Sequence, residues 1–196
     1  MVEAPRCGRE KTLAPDTEAI YTELLALRCR QGDPQAYREL IACWEKRLFF
    51  YIRRLVAHEQ DAWDVLQQVW LKVFRGMGSL RDARRLPAWL YGIARNTAFS
   101  HLRATRHQQV LQADADEVAH VEASDDSLAL EDAERVHRAL DQISLAHREA
   151  ITLFLLEDLT MDQIVQVLGI PLGTVKSRLY HAKRALRAAI EREGEQ

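Results

Sequence analysis

TMDQIVQVLGIPLGTVKSRLYHAKRAL, residues 160–186, decides the fold. Thr160 followed three positions later by Gln163 is a capping box, in which hydroxyl and amide each satisfy a backbone N–H, and it opens a short helix over residues 161–168. Gly169 can take the left-handed conformation that ends this helix, and Pro171 stops any continuation. A second helix starts almost at once, over residues 172–192. Two short helices joined by so tight a turn form a helix-turn-helix, whose second member enters a DNA major groove.

Helical spacing separates the faces of that second helix. Val175, Leu179, Ala182 and Leu186 fall at i, i+4, i+7 and i+11, a stripe that packs on Ile164, Val167 and Leu168. Thr174, Ser177, Arg178 and His181 share another side, flanked by Lys176, Lys183, Arg184 and Arg187. Hydroxyls and guanidinium groups read base edges, and flanking cations suit phosphates. A solvated basic face is the plainer alternative, but such faces usually interleave Glu with Lys, and residues 176–187 contain no acid.

Working back along the chain, residues 113–134 carry nine acids and no Lys or Arg, and the stretch QADADEVAHVEASDDS, residues 112–127, with little apolar area to bury, reads as a flexible linker. Before it, residues 75–107 carry seven Arg and one acid, Asp82. Asp33 as N-cap and Pro34 at the first helical position open a helix to about residue 57. A second covers residues 61–76 or 61–78 and a third residues 87–106, with a shorter one before Gly32. Beyond the linker, helices are expected over residues 130–143, 146–156, 161–168 and 172–192. The expected fold is all-α: two small helical domains joined by an acidic flexible linker, the second with the helix-turn-helix. The boundaries are a disordered extension over 1–17, a first domain over 18–107, the linker over 108–128 and the second domain over 129–192.

In DAWDVLQQVWLKVFR, residues 61–75, Ala62, Leu66, Val69 and Val73 form one stripe and Asp64, Gln68, Lys72 and Arg75 another, with Gln67 beside it. In the next helix Leu90, Ile93, Ala94 and Leu102 read as buried, and Asn96, Ser100, Arg103 and His107 share the opposite side. Trp89 and Tyr91 stand at its start. Rings and guanidinium planes stack on unpaired bases, and Asn bonds their exposed edges. Taken singly, each aromatic is as well explained as core.

The order of these pieces resembles the extracytoplasmic-function (ECF) group of bacterial sigma factors, over residues 24–190. The resemblance rests on Asp61, Ala62, Asp64, Gln67 and Gln68; on Trp89, Leu90, Ile93, Ala94 and Asn96; and on the unbroken Gly-Thr-Val-Lys-Ser-Arg of residues 173–178. It implies that Asp61, Asp64, Gln67, Gln68 and Lys72 bind core RNA polymerase. It implies minus-10 recognition and melting by the first domain, for which the candidate residues are Arg84, Arg85, Trp89, Tyr91, Arg95, Asn96, Ser100 and Arg103. For the minus-35 element, read as duplex, they are Thr174, Lys176, Ser177, Arg178, His181, Lys183 and Arg184. The acidic linker resembles the segment that threads toward the polymerase cleft, and an anti-sigma factor is an implied partner. The sequence departs from the family pattern at Gln68, where an acid is usual, at His181, where Arg is common, and at Val165, where Ala is usual.

Other classes fare worse. An ordinary helix-turn-helix regulator explains residues 160–186 but leaves the first-domain motifs idle. A metal-dependent enzyme needs clustered ligands, and the seven histidines show no HExxH or similar spacing. Cys7, Cys29 and Cys43 form no CxxC pair, so neither disulfides nor zinc are expected. With no continuous apolar leader and no run of 18 apolar residues, a cytoplasmic protein without membrane insertion, metal or cofactor is expected.

Overall fold

The structure, a computed structural model, describes residues 15–111 and 138–193. Among them every regular element is a helix: α1 (Pro15–Arg30), α2 (Pro34–Arg53), α3 (Glu59–Gly76), α4 (Leu86–Leu111), α5 (Leu145–Ile151), α6 (Met161–Leu168) and α7 (Leu172–Glu193). Single 3-10 turns at Met77–Ser79 and Ala83–Arg85 connect α3 to α4, and Thr152–Leu156 extends α5 as a π-helical turn. Residues 138–141 are also helical. Residues 112–137, which hold all but the first four residues of the expected linker, and the extension up to residue 14 lie outside the described residues, whereas residues 108–111 belong to α4. α1 begins at Pro15, three residues inside the stretch 1–17 expected as an extension.

Local chemistry fixes the helix ends. Asp33 accepts the Gln35 N–H ahead of Pro34, as expected of an N-cap. That helix ends at Arg53, four residues before the expected stop, because the chain turns to bury Leu55 and Val56. The Arg53 guanidinium then donates to the Val56 and Ala57 carbonyls at 3.2 and 2.8 Å. Thr160 and Gln163 close the capping box, and Gly169 sits at φ +65°. Nothing lies within 4 Å of a Cβ built there, so glycine is required by backbone conformation and not by space.

The stripes read from spacing are buried: Ala62, Leu66, Val69 and Val73 on α3, and Val175, Leu179 and Ala182 on α7. The two helical units are not spatially separate. Ala150, Leu153, Leu159, Ile164, Val167, Leu168, Val175 and Leu179 join one continuous apolar cluster with the core of α1–α4, and α6 lies along α4. A smaller cluster of Leu140, Ile143, Ile151 and Ala182 holds the second unit together behind it.

Candidate nucleic-acid and protein interfaces

Three surfaces follow from this packing. On α3, burial of the Ala62–Val73 stripe leaves Asp64, Gln67, Gln68 and Lys72 exposed on the opposite side. Lys72 is not wholly free for a partner, since its ammonium donates to Thr97 Oγ1 of α4 at 2.9 Å. Asp61, half-buried, lies 3.3 Å from His101 Nε2 of α4, a charge contact only when that imidazole is protonated. The same face adds exposed apolar rings and chains that polarity-based reading passed over, Leu71 and Phe74.

The second surface is a groove of about 690 Å3 where the turns between α3 and α4 meet the start of α4, lined among others by Ser79, Arg81, Arg85, Trp89, Asn96 and, from α6, Gln166. Trp89 is half-buried, and Asn96 is exposed. Ser100 and Arg103 continue the exposed side of α4, with Arg103 donating to the Ser100 hydroxyl at 3.0 Å. Gly76 positions the Trp89 ring: a Cβ there would stand 3.3 Å from Trp89 Cζ2. Sequence reading took Gly76 only as a helix end. Arg84 and Arg85, both exposed, share Asp82 at 3.0 and 3.8 Å. The Arg84 hydrogen bond holds the Asp82 carboxyl below the usual range, so it stays ionised and offsets part of the local positive charge.

Two residues expected at this surface are elsewhere. Tyr91 is fully buried and its hydroxyl donates to Glu157, so it offers no ring to a base. Arg95 donates from Nε to Glu149 Oε1 at 2.7 Å and lies over the Phe99 ring. The reason is the same for both. α4 has a second buried side, covered by the second helical unit, and a periodicity that sees only the hydrophobic stripe cannot register it. Burial, and then the neighbouring carboxylates, push the Tyr51 and Tyr91 phenols well above their usual range.

The third surface is α7. Thr174, Lys176, Ser177, His181, Lys183 and Arg184 are exposed and Arg178 is half-buried beside them. Tyr180 packs edge-on against His181, and Arg184 lies over the Tyr180 ring. Lys183 sits over Phe154, while Arg187 pairs with Glu191 at 2.8 Å. Hydroxyls and one Arg thus stand between cations on a helix whose other side is core, the chemistry of groove reading.

Among the described residues no group of His, Cys, Asp and Glu could hold a metal, and no helix is long and apolar enough to cross a membrane. Cys29 is buried, and burial pushes its thiol up to about 11, which keeps it unreactive.

Comparison with known proteins places both helical units in known families. Residues 40–108 match the family Sigma-70 region 2, and residues 133–186 match Sigma-70, region 4. The chain is 30% identical over 178 residues to the RNA polymerase sigma-H factor of Pseudomonas aeruginosa, covering 85% of this chain and 92% of that protein. It is 29% identical over 181 residues to the ECF RNA polymerase sigma-E factor of Escherichia coli K12, covering 87% and 94%. Among solved structures it is similar to the sigma factor RpoE in complex with the anti-sigma factor NepR from Bartonella quintana, with a TM-score of 0.66 and 26% identity over 79% of this chain and 96% of that one. CnrH, solved with the cytosolic domain of CnrY, shares the fold at a TM-score of 0.63 and 21% identity, over 87% and 97%.

Proposed function

Because the chain belongs to the extracytoplasmic-function group of bacterial RNA polymerase sigma factors, we propose that its two helical units divide promoter recognition between a melted and a duplex element. It is a specificity subunit that binds core RNA polymerase and directs promoter-specific initiation. Its work is binding, not catalysis, and it is done in the cytoplasm, where polymerase and chromosome meet.

The observation that carries the residue-level reading is the separation of chemistries. An unpaired base meets stacking and an amide at Trp89 and Asn96, which line one groove. A duplex meets Thr174, Ser177, Arg178 and His181 on a groove-sized helix. Arg84, Arg85, Ser100 and Arg103 then hold the single strand, and Lys176, Lys183 and Arg184 the duplex phosphates. Asp61, Asp64, Gln67, Gln68 and Lys72 face the polymerase. The acidic segment between the units lies toward the polymerase cleft, where negative charge occupies space meant for nucleic acid. An anti-sigma factor is proposed as a second protein partner, by likeness to the relative solved with NepR. A regulator that leaves the polymerase subunits unchanged has no use for the α3 face or the Trp89 groove.

Transcription by purified core polymerase tests the function: the chain alone should start promoter-specific synthesis, whereas a regulator would require another sigma factor. Within the same assay, Asp64→Ala should weaken core capture and Gln68→Glu should leave it intact or improve it. Capture indifferent to Asp64→Ala would remove α3 as the polymerase face.

A further inference from the structure

Beside the groove of Trp89 and Asn96 lies a second one, of about 610 Å3. One wall is α1, from which Glu23, Leu27 and Arg30 project at i, i+4 and i+7 along a single side. The other wall is the turn between α3 and α4, carrying Arg81, Asp82 and Arg84 around the buried Ala83. Arg81 and Asp82 line both grooves, so the two share a wall. α1 turns Leu25, Ala26 and Cys29 into the core and leaves Leu24 and Leu27 at 52 and 42% exposure on its other side. The charges around Leu27 are unevenly matched. Asp82 is taken up by Arg84 at 3.0 Å and by Arg85 at 3.8 Å. Among the described residues no carboxylate pairs with Arg30 or Arg81, and both are exposed. Asp82 first, and then Glu23, hold the Arg84 guanidinium above its usual range. Glu23, half-buried, nevertheless accepts no hydrogen bond from a described residue. The groove thus offers two uncompensated guanidinium groups, an apolar surface and one free carboxylate.

We propose that this groove is a second nucleotide subsite for the unpaired promoter strand, in which Arg30 and Arg81 hold phosphates and Glu23 selects a base bearing an exocyclic amine over thymine. The inference rests on the promoter-reading assignment above and extends it to α1. A strand with one base against Trp89 must leave that groove across its walls, and the Arg81–Asp82 wall leads into the second. There Arg81 and Arg30 meet the backbone from opposite sides, which holds a strand whatever its sequence. Leu27 supplies the apolar surface for the face of a base. Sequence is read only by donors and acceptors aimed at a base edge, and the unpartnered Glu23 carboxylate is such an acceptor. Adenine, cytosine and guanine each present an amine to it. Thymine has none, and its ring N–H stands between two carbonyls that the carboxylate repels. An acidic peptide would suit the two arginines as well, but Glu23 would repel it, whereas a nucleotide satisfies all three groups.

The test uses the full chain in complex with core polymerase and follows the fluorescence anisotropy of labelled single-stranded minus-10 oligonucleotides as salt is varied. Arg30→Ala/Arg81→Ala should weaken binding about tenfold and lower the slope of log K against log salt by about 1.4, about 0.7 for each of two phosphates. Arg38→Ala/Lys46→Ala, which removes two exposed cations of α2 outside both grooves, should change neither. Oligonucleotides shortened from either end locate the nucleotide to which the arginine variant no longer responds, and each of the four bases is then placed there. Wild type should disfavour thymine at that position by about fivefold or more, the value of one well-placed hydrogen bond to a base edge. Glu23→Ala should erase the difference. Equal losses in the two double variants overturn the subsite, and indifference of wild type to the base overturns selection by Glu23. Lost capture of core polymerase by Arg30→Ala/Arg81→Ala, with strand binding by the captured complex intact, would give the groove to a protein instead. Weaker binding with Trp89→Ala but not with Arg30→Ala/Arg81→Ala removes the second groove and leaves the first standing, whereas indifference to both removes the promoter-reading groove itself.

Discussion

Arg178 and Arg187 lie nine residues apart on one helix, and their surroundings assign them different work. Arg178 is half-buried beside Ser177, in the row proposed to read base edges, whereas Arg187 is exposed and already paired with Glu191. Arg178→Ala should cost about 1–3 kcal/mol on a minus-35 duplex and relax preference at one base position. Arg187→Ala should weaken specific and random duplexes alike, and by less, because part of its charge is spent on Glu191. Anisotropy on matched duplexes separates the two, and equal losses on both duplexes for both variants would show that another side of α7 enters the groove. Most of this row was legible in the sequence, since a helix with one apolar stripe fixes where its other residues point. Tyr91 and Arg95 were not. Their neighbours are Glu157 and Glu149, more than 50 residues away in sequence. Nothing local distinguishes a tyrosine that stacks on a base from one that donates to a distant carboxylate.

Among the elements, the capped ones were read most fully. The Thr160–Gln163 box, the left-handed Gly169 and the Asp33–Pro34 start are all backbone chemistry completed within a few residues, so sequence alone determines them. The turns between α3 and α4 were read less well, because their purpose is a tertiary contact. Gly76 ends α3 in ordinary backbone conformation at φ −97°, so its value lies in what it makes room for, the Trp89 ring. Gly76→Ala must push that ring by a few tenths of an ångström, altering the wall of the groove. It should leave thermal stability unchanged or slightly raised, since Ala suits a helix better than Gly. Binding of a single-stranded minus-10 oligonucleotide should fall by about 0.5–1 kcal/mol, a fraction of what stacking on one base is worth. Gly78→Ala, with nothing within 4 Å of its Cβ, is the control and should change neither. Equal binding by both variants would mean that Trp89 is a core ring with no part in recognition.

The whole molecule differs most from its sequence reading in the contact between its units. Two domains with a linker are visible in composition, but a surface shared between them adds only an acid inside a short amphipathic helix, as Glu149 in LAHREAI, which periodicity treats as one more exposed position. That shared surface gives the fold an alkaline limit with a definite sign. The Tyr51 and Tyr91 phenols are raised well above their usual value by burial first and by Glu149 and Glu157 next, and burial likewise raises the Cys29 thiol from 9.0 to about 11. All three are acids kept neutral by the fold. A raised value contributes stability that is whole below the unfolded-state pKa and is lost as pH climbs toward the folded one. Thermal stability should therefore be insensitive to these groups from pH 7 to about 9. It should decline with Cys29 above that, and fall more steeply beyond about 10, where free tyrosines ionise. Circular-dichroism melts across pH 7–11 measure it. Tyr51→Phe/Tyr91→Phe removes both phenols while keeping the edge-on ring packing at 5.2 Å. The double variant should melt lower than wild type at pH 7, through two lost hydrogen bonds to buried carboxylates, yet lose less between pH 9.5 and 11. Parallel pH profiles for the two proteins would show that the phenols are hydrated, and hence that the units stand apart in solution.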